Sequence, residues 1–344
     1  MQKFLSISPN FENTHTVINI LGLKLKIKKK NTFELRTEKL LIKLWSMQYD
    51  NSFNAFLQQY ILVNKDYMSQ QISLIAISTL LENRSYAQAE FLLNKHIKKY
   101  GMSAIPKFLL VSDFCKSINI TNTEIVQSAK IYEHIKNNQE KLLLEEILQN
   151  KTVAIVGNSP CEIGQNKGSE IDKNDLVIKF NNFSNSVKYQ KDYGSKNDIW
   201  MIAGNITKKN YDNHFKNLKM IIVADDIEHC IFTDDFRHFL YEIICNTQIP
   251  ITSLDFEYRR FLRNKYNLIH PSTGFQMINY ICDNRKNIKN FCIYGFSFND
   301  SKVGIKKNMF NKYYQERTPF YIIHNSYKES EIISELLQEN KELK

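Results

Sequence analysis

Between residues 151 and 344, five short apolar runs recur, separated by polar, turn-forming or helix-like stretches. They are Val153–Val156, Leu176–Phe180, Asp198–Ile202, Met220–Ala224 and Phe291–Tyr294. Each is short and dominated by β-branched, aromatic or other apolar residues, as expected of a strand buried on both faces. Such strands, alternating with helical segments, predict an α/β fold built on a mostly parallel sheet covered by helices.

The first run ends in Gly157-Asn158-Ser159-Pro160, a cluster of turn formers. Open α/β sheets place ligands beyond the carboxyl ends of their strands, so this junction is a candidate binding edge. Gly157 lets a backbone come close to a ligand, and Asn158 offers a donor and an acceptor. The second run ends in Asn181-Asn182, so two strand ends can present amides to a polar ring and ribose. The same asparagines also suit plain turn capping. Further on, Ser272-Thr273-Gly274 precedes a helix-like stretch. Hydroxyls and unpaired backbone N–H groups at a helix start suit an anion, or simple N-capping. No spaced-glycine fingerprint of a dinucleotide or P-loop site accompanies these residues.

The half before residue 150 has a different texture. From about Thr37 to Asn150 apolar residues recur at helical spacing, as in Leu40, Leu41, Leu44 and Trp45, and again in Ala89, Leu92, Leu93 and Ile97. Ahead of them, residues 17–30 alternate in part, which suits an edge strand or hairpin arm with Lys24, Lys26 and Lys28 on one face. Edge lysines guard against strand-to-strand aggregation, or present a basic surface to anionic lipid. The expected organisation is a mainly helical accessory region over 1–150 and a sheet domain over 151–344. Residues 329–344 close the chain as a charged helix.

A net charge of +10 over 344 residues points to anionic partners. No nucleic-acid motif is present, so a nucleotide-linked substrate or an anionic membrane surface is expected instead. Six cysteines lack metal or disulfide spacing and read as free thiols. With no spanning segment or secretory leader in the sequence, the expected location is the cytoplasm, with peripheral contact at the inner membrane.

Four stretches together resemble the sialyltransferase family, glycosyltransferase family 29. VAIVGNS with EIDKNDLVIKFNN is similar to its large motif, and HPSTGFQM with FCIYGFSF to its small motif. Lys312 to Glu316 (KYYQE) resembles the third motif. His324 followed five residues later by Glu329 matches the very-small motif. The four stand in family order and cover about residues 152–330.

The resemblance implies a Rossmann-like sheet with helices on both faces, a GT-A variant, preceded here by a helical region. It implies transfer of sialic acid, or a related 2-keto sugar acid, from a CMP-linked donor to a glycan or glycolipid hydroxyl, with inversion. By that resemblance Asn158 and Asn181 hold the cytidine nucleotide, with Gly157 and Ser159 beside them. Ser272, Thr273 and Gly274 hold the donor, His324 is the general base, and Glu329 is its companion. At the start of the third motif Lys312 or Tyr313 stands where the family usually places His, and Tyr313 is the candidate donor contact. Val153 replaces the large-motif cysteine of animal members, which fits a bacterial, cytoplasmic enzyme of lipopolysaccharide or capsule synthesis.

The chemistry is consistent: a neutral imidazole can take the acceptor hydroxyl's proton, and CMP is already a good leaving group. No metal or other cofactor is expected, since no Asp-x-Asp strand end occurs. Asp225-Asp226 comes nearest and reads as a turn. Three other readings stay open: a CMP-Kdo-dependent transferase, a Rossmann-type oxidoreductase or methyltransferase, and a non-catalytic nucleotide- or glycan-binding protein.

Overall fold

The structure, a computed structural model, describes residues 5–9, 15–20, 23–28, 68–184, 186–204, 217–254, 256–268, 270–296 and 326–342. The chain forms two compact units, Met1–Ala104 and Ile105–Lys344.

The first unit contains a three-stranded antiparallel sheet, β1 (Leu5–Pro9), β2 (His15–Ile20) and β3 (Leu23–Lys28), in that order. The expected hairpin is present, and β3 is an edge of this sheet, with Lys24, Lys26 and Lys28 opposite Asn19, Val17 and His15. Among the described residues two helices follow, Gln70–Glu82 and Tyr86–Tyr100. Every residue from Ile72 to Leu81 is buried, so this helix is enclosed rather than amphipathic. The second helix buries Ala89, Leu92, Leu93 and His96, one stripe at helical spacing, and ends at Gly101 with φ 73°. His96 lies 3.1 Å from the Ser73 hydroxyl, and burial lowers its pKa to about 4, so it is a neutral core histidine. The Leu40–Trp45 stretch lies outside the described residues.

The second unit is built on a six-stranded parallel sheet. Its strands are β4 (Thr152–Val156), β5 (Leu176–Phe180), β6 (Ile199–Ile202), β7 (Met220–Val223), β8 (Ile251–Ser253) and β9 (Asn290–Tyr294). Their spatial order is β8-β7-β6-β5-β4-β9, and every neighbouring pair is parallel. The five expected strands are present. β8 is an addition: it spans only three residues, after Pro250, and pairs with β7 alone.

Period-two alternation sends the apolar side chains to both faces. Val153, Ile155, Leu176, Ile178, Ile199 and Met201 bury against helices Asn138–Leu148, Thr273–Asp283 and Ser326–Glu342. On the opposite face, Trp200, Ile202, Ile221 and Val223 pack with Phe236, Phe239 and Leu240 of helix Asp234–Asn246. Ala154, Val156 and Val177 on that face meet Ile171, Tyr189 and Tyr193. The sheet is therefore covered on both sides, which is why its strands carry no polar alternation. Leu109 and Ile131, from helices Leu109–Ser117 and Thr123–Ile135, also belong to this core, so residues 105–150 share a compact unit with the sheet. The change of sequence texture near residue 150 marks the first strand of that sheet.

Among the described residues no helix is long and apolar enough to cross a membrane. The six cysteines are free, and burial pushes the Cys115 thiol up to about 12.

Candidate active site

Strand order reverses at β4: β5 to β8 run to one side of it and β9 lies on the other. That is the topological switch point at which open α/β sheets bind ligands. The chain converges there because two glycines let the ends of β4 and β9 pack closely side by side. Gly157 N donates to Tyr294 O at 2.8 Å, and Ser159 N to Gly295 O at 2.8 Å. A Cβ on Gly157 would collide with the Gly295 carbonyl, and one on Gly295, whose φ is +69°, with the Gly157 carbonyl. The closest neighbour of Gly157 is thus the protein's own backbone. Ser159 is buried, and its carbonyl accepts a hydrogen bond from the Tyr193 hydroxyl.

The two asparagines tie neighbouring strand ends together. Asn158 Nδ2 donates to Phe180 O at 2.8 Å, joining β4 to β5. Asn181 sits in the left-handed region with φ 45°, and its Oδ1 accepts from Ala203 N at 2.9 Å, joining β5 to the end of β6. The bonds engage opposite ends of the two amides. Asn158 Oδ1 and Asn181 Nδ2 lie outside them, one an acceptor and the other a donor, which suits the edge of a nucleobase or ribose.

Helix Thr273–Asp283 starts beside these strand ends, with the Phe296 ring next to both Gly157 and Gly274. Ser272 caps the helix, its Oγ accepting from Phe275 N at 3.3 Å. The Phe296 ring fills the space between the helix start and the strand ends. A Cβ on Gly274 would come within 2.5 Å of that ring, and the ring meets Phe180 edge-on at 6.0 Å. The first amides of such a helix have no intrahelical acceptor and attract an anion.

Glu329, in the first turn of helix Ser326–Glu342, holds Ser272 with both oxygens. Oε1 accepts from Ser272 N at 2.7 Å and Oε2 from Ser272 Oγ at 2.6 Å. Burial pushes the Glu329 carboxyl up to about 7, against the pull of these two bonds. The residues Gly157, Asn158, Ser159, Asn181, Ser272, Thr273, Gly274 and Glu329 therefore gather at one edge of the sheet. His324, Tyr313 and Lys312 lie outside the described residues.

Two further side chains shape this edge. Phe296 is one. Lys179 is the other: a buried ammonium in β5 that donates to Gly194 O at 2.9 Å and lies 5.1 Å over the Phe183 ring. Burial lowers its pKa to about 8. A lone lysine inside an apolar strand was the signal available for it.

A group with metal-ligand atoms, Asp226, Glu228 and His229, follows β7. Its atoms are engaged internally. Asp226 Oδ1 accepts from the backbone N of Glu228 at 2.9 Å, and Oδ2 lies 3.0 Å from His229 Nδ1. Glu228 accepts from Tyr132 at 3.0 Å and pairs with Lys136 at 2.5 Å. Burial alone would raise Asp226, but the adjacent His229 holds it at about 2. This is a capped turn.

The family model for glycosyltransferase family 29, the sialyltransferases, matches residues 102–341. The chain belongs to that family. The matched span opens three residues ahead of Ile105, where the second compact unit begins. A crystal structure of a mammalian sialyltransferase shares 18% identity with it, over 62% of this chain and 75% of that one, with a TM-score of 0.42. Another, of a mammalian sialyltransferase in complex with Gal-beta-1-3GalNAc-ortho-nitrophenol, shares 17% identity over 67% and 81%, with a TM-score of 0.42. No curated protein matches the chain. Membership makes the chain a glycosyltransferase of the sialic-acid class, and its parallel sheet carries the candidate site at the switch point.

Proposed function

We propose that the chain transfers sialic acid from CMP-sialic acid to a hydroxyl of a glycan, with inversion and without a metal. The observation that supports this most is the Glu329–Ser272 clamp, because it ties Glu329, five residues after His324 in the sequence, to the helix start at Ser272–Gly274. In this reading the cytidine lies against Asn158 and Asn181, and the phosphate meets the first amides of helix Thr273–Asp283. Tyr313 contributes a further donor contact.

In the reaction the acceptor oxygen attacks the anomeric carbon of the donor as the bond from that carbon to the phosphate breaks. CMP leaves with the bonding electron pair, and the acceptor proton passes to the His324 imidazole. Both Glu329 oxygens are occupied by Ser272, so its role is to position the helix start. With Val153 in place of the animal cysteine, we place the enzyme in a reducing, bacterial cytoplasm, acting on lipopolysaccharide or capsule glycans.

A pair of variants tests the assignment. His324→Ala should lower kcat by about 10²–10⁴-fold at unchanged CMP affinity and remove the acidic limb of the pH–rate profile. Asn158→Ala should do the reverse, weakening CMP binding by about 1–3 kcal/mol. Retention of more than about a tenth of kcat by folded His324→Ala, with the wild-type pH profile, rules out His324 as the base.

A further inference from the structure

Lys179 is a buried charge that the fold does not pair. It stands in β5 opposite Val156 of β4, with β6 on its other side, and is 2% exposed. Among the described residues its ammonium makes one hydrogen bond, to Gly194 O at 2.9 Å, and no ion pair. Asp172 is the carboxylate whose field reaches it. The oxygens of Asp172 are engaged elsewhere, accepting from Ser195 N and Oγ at 2.9 Å and from Lys196 N at 3.0 Å. Burying an ammonium on these terms is costly, and a neutral amide could hold the Gly194 carbonyl equally well.

The surroundings give that charge a use. Lys179, Gly157, Asn158, Phe183 and Tyr193 line a water-sized cavity of about 10 Å³ at the carboxyl edge of the sheet. A group held by the Asn158 amide therefore lies about 6–9 Å from the ammonium, one water and one hydrogen bond away. The described residues gathered at this edge by the strand ends and the Ser272 turn include no basic one, and the charged member, Glu329, is acidic. Arg259 reaches His270 at 3.3 Å, but Asp225 and Asp226 both draw on its charge. Lys179 has no such partner, so among the described residues it is the cation left to face an anion here.

We infer that the Lys179 ammonium is a specificity-determining group of the donor site, which selects a phosphorylated nucleotide over the uncharged nucleoside. It acts through its field across the cavity, and the neutral groups of the strand ends make the contacts. The inference rests on the donor reading above and adds to it the source of positive charge.

Calorimetry of CMP, AMP, UMP and cytidine, with saturation-transfer NMR for the weaker ligands, tests this on the wild type, Lys179→Gln, Lys179→Met and Lys179→Arg. At about 8 Å and an effective dielectric of about 20, loss of one charge should weaken CMP binding about tenfold or more. Cytidine has no phosphate, so both neutral variants should bind it within about twofold of the wild type. Lys179→Arg keeps the charge and should retain most of the CMP affinity. A lysine that only anchors Gly194 would lower both affinities together, and Lys179→Gln would restore them. Thermal melts identify a misfolded neutral variant, in which case the other carries the decision. The inference is overturned if a folded neutral variant binds CMP as the wild type does, or if cytidine binding falls as far as CMP binding. A wild type that binds AMP or UMP but not CMP, with the same dependence on Lys179, supports the inference and refutes the cytidine reading. A wild type that binds no nucleotide overturns both.

Discussion

Replacing Glu329 by glutamine should change how stability depends on pH. The carboxyl lies at about 7 in the folded chain, against an ordinary 4.5, because burial outweighs the two bonds from Ser272. Each pKa unit corresponds to about 1.4 kcal/mol, so the shift amounts to about 3 kcal/mol. The folded value is the higher one, so the folded chain binds more protons than the unfolded chain between the two values. Stability from this group is therefore fully present below about pH 4.5 and is lost as pH rises through about 7. Glutamine can still accept from the Ser272 N–H and donate to its Oγ, without a charge to bury. Relative to the wild type, Glu329→Gln should gain up to about 3 kcal/mol across that window and keep its CMP affinity. Glu329→Ala leaves the half-buried Ser272 N–H without its acceptor and should be about 1–3 kcal/mol less stable near pH 5, with weaker CMP binding. Urea unfolding of the three proteins at a series of pH values measures all of this. A difference between wild type and Glu329→Gln that stays constant through the window would refute the reasoning.

Gly274→Ala should cost about 1–3 kcal/mol, because its Cβ would come within 2.5 Å of the Phe296 ring. A second change, Phe296→Leu, should recover part of the loss in a double-mutant cycle, and strictly additive losses would show that the ring is not the obstacle. If the basic edge strand of the N-terminal unit meets anionic membrane, reversing Lys26, Lys28 and Lys29 to glutamate should lower binding to phosphatidylserine vesicles while CMP affinity stays unchanged. Equal vesicle binding would leave those lysines as edge protection.

The sheet was legible because burial on both faces leaves a compositional trace. Runs such as Leu176–Phe180 carry β-branched residues without polar alternation, and turn formers end them. β8 left no such trace: three residues after a proline become a strand only because Ile251 has Ile221 to pair with. The site residues were legible in part. Asn158 and Asn181 stand at strand ends, where sequence alone can place an amide. Which atoms those amides would use depended on how β4, β5 and β6 pair, and that Gly157 faces another strand instead of open space depended on β9 lying beside β4. The clamp between Ser272 and Glu329 joins residues 57 positions apart, a distance no local pattern spans.

The central claim is the transfer of sialic acid from a CMP-linked donor. Incubating the wild-type chain with CMP-sialic acid and, separately, CMP-Kdo, each with lactose and excess EDTA, and weighing the products by mass spectrometry tests it most directly. The account predicts release of CMP and a sialylated lactose from the first donor, at a rate chelation does not change. Product from CMP-Kdo alone, or sialyl product only after magnesium or manganese is restored, would contradict it.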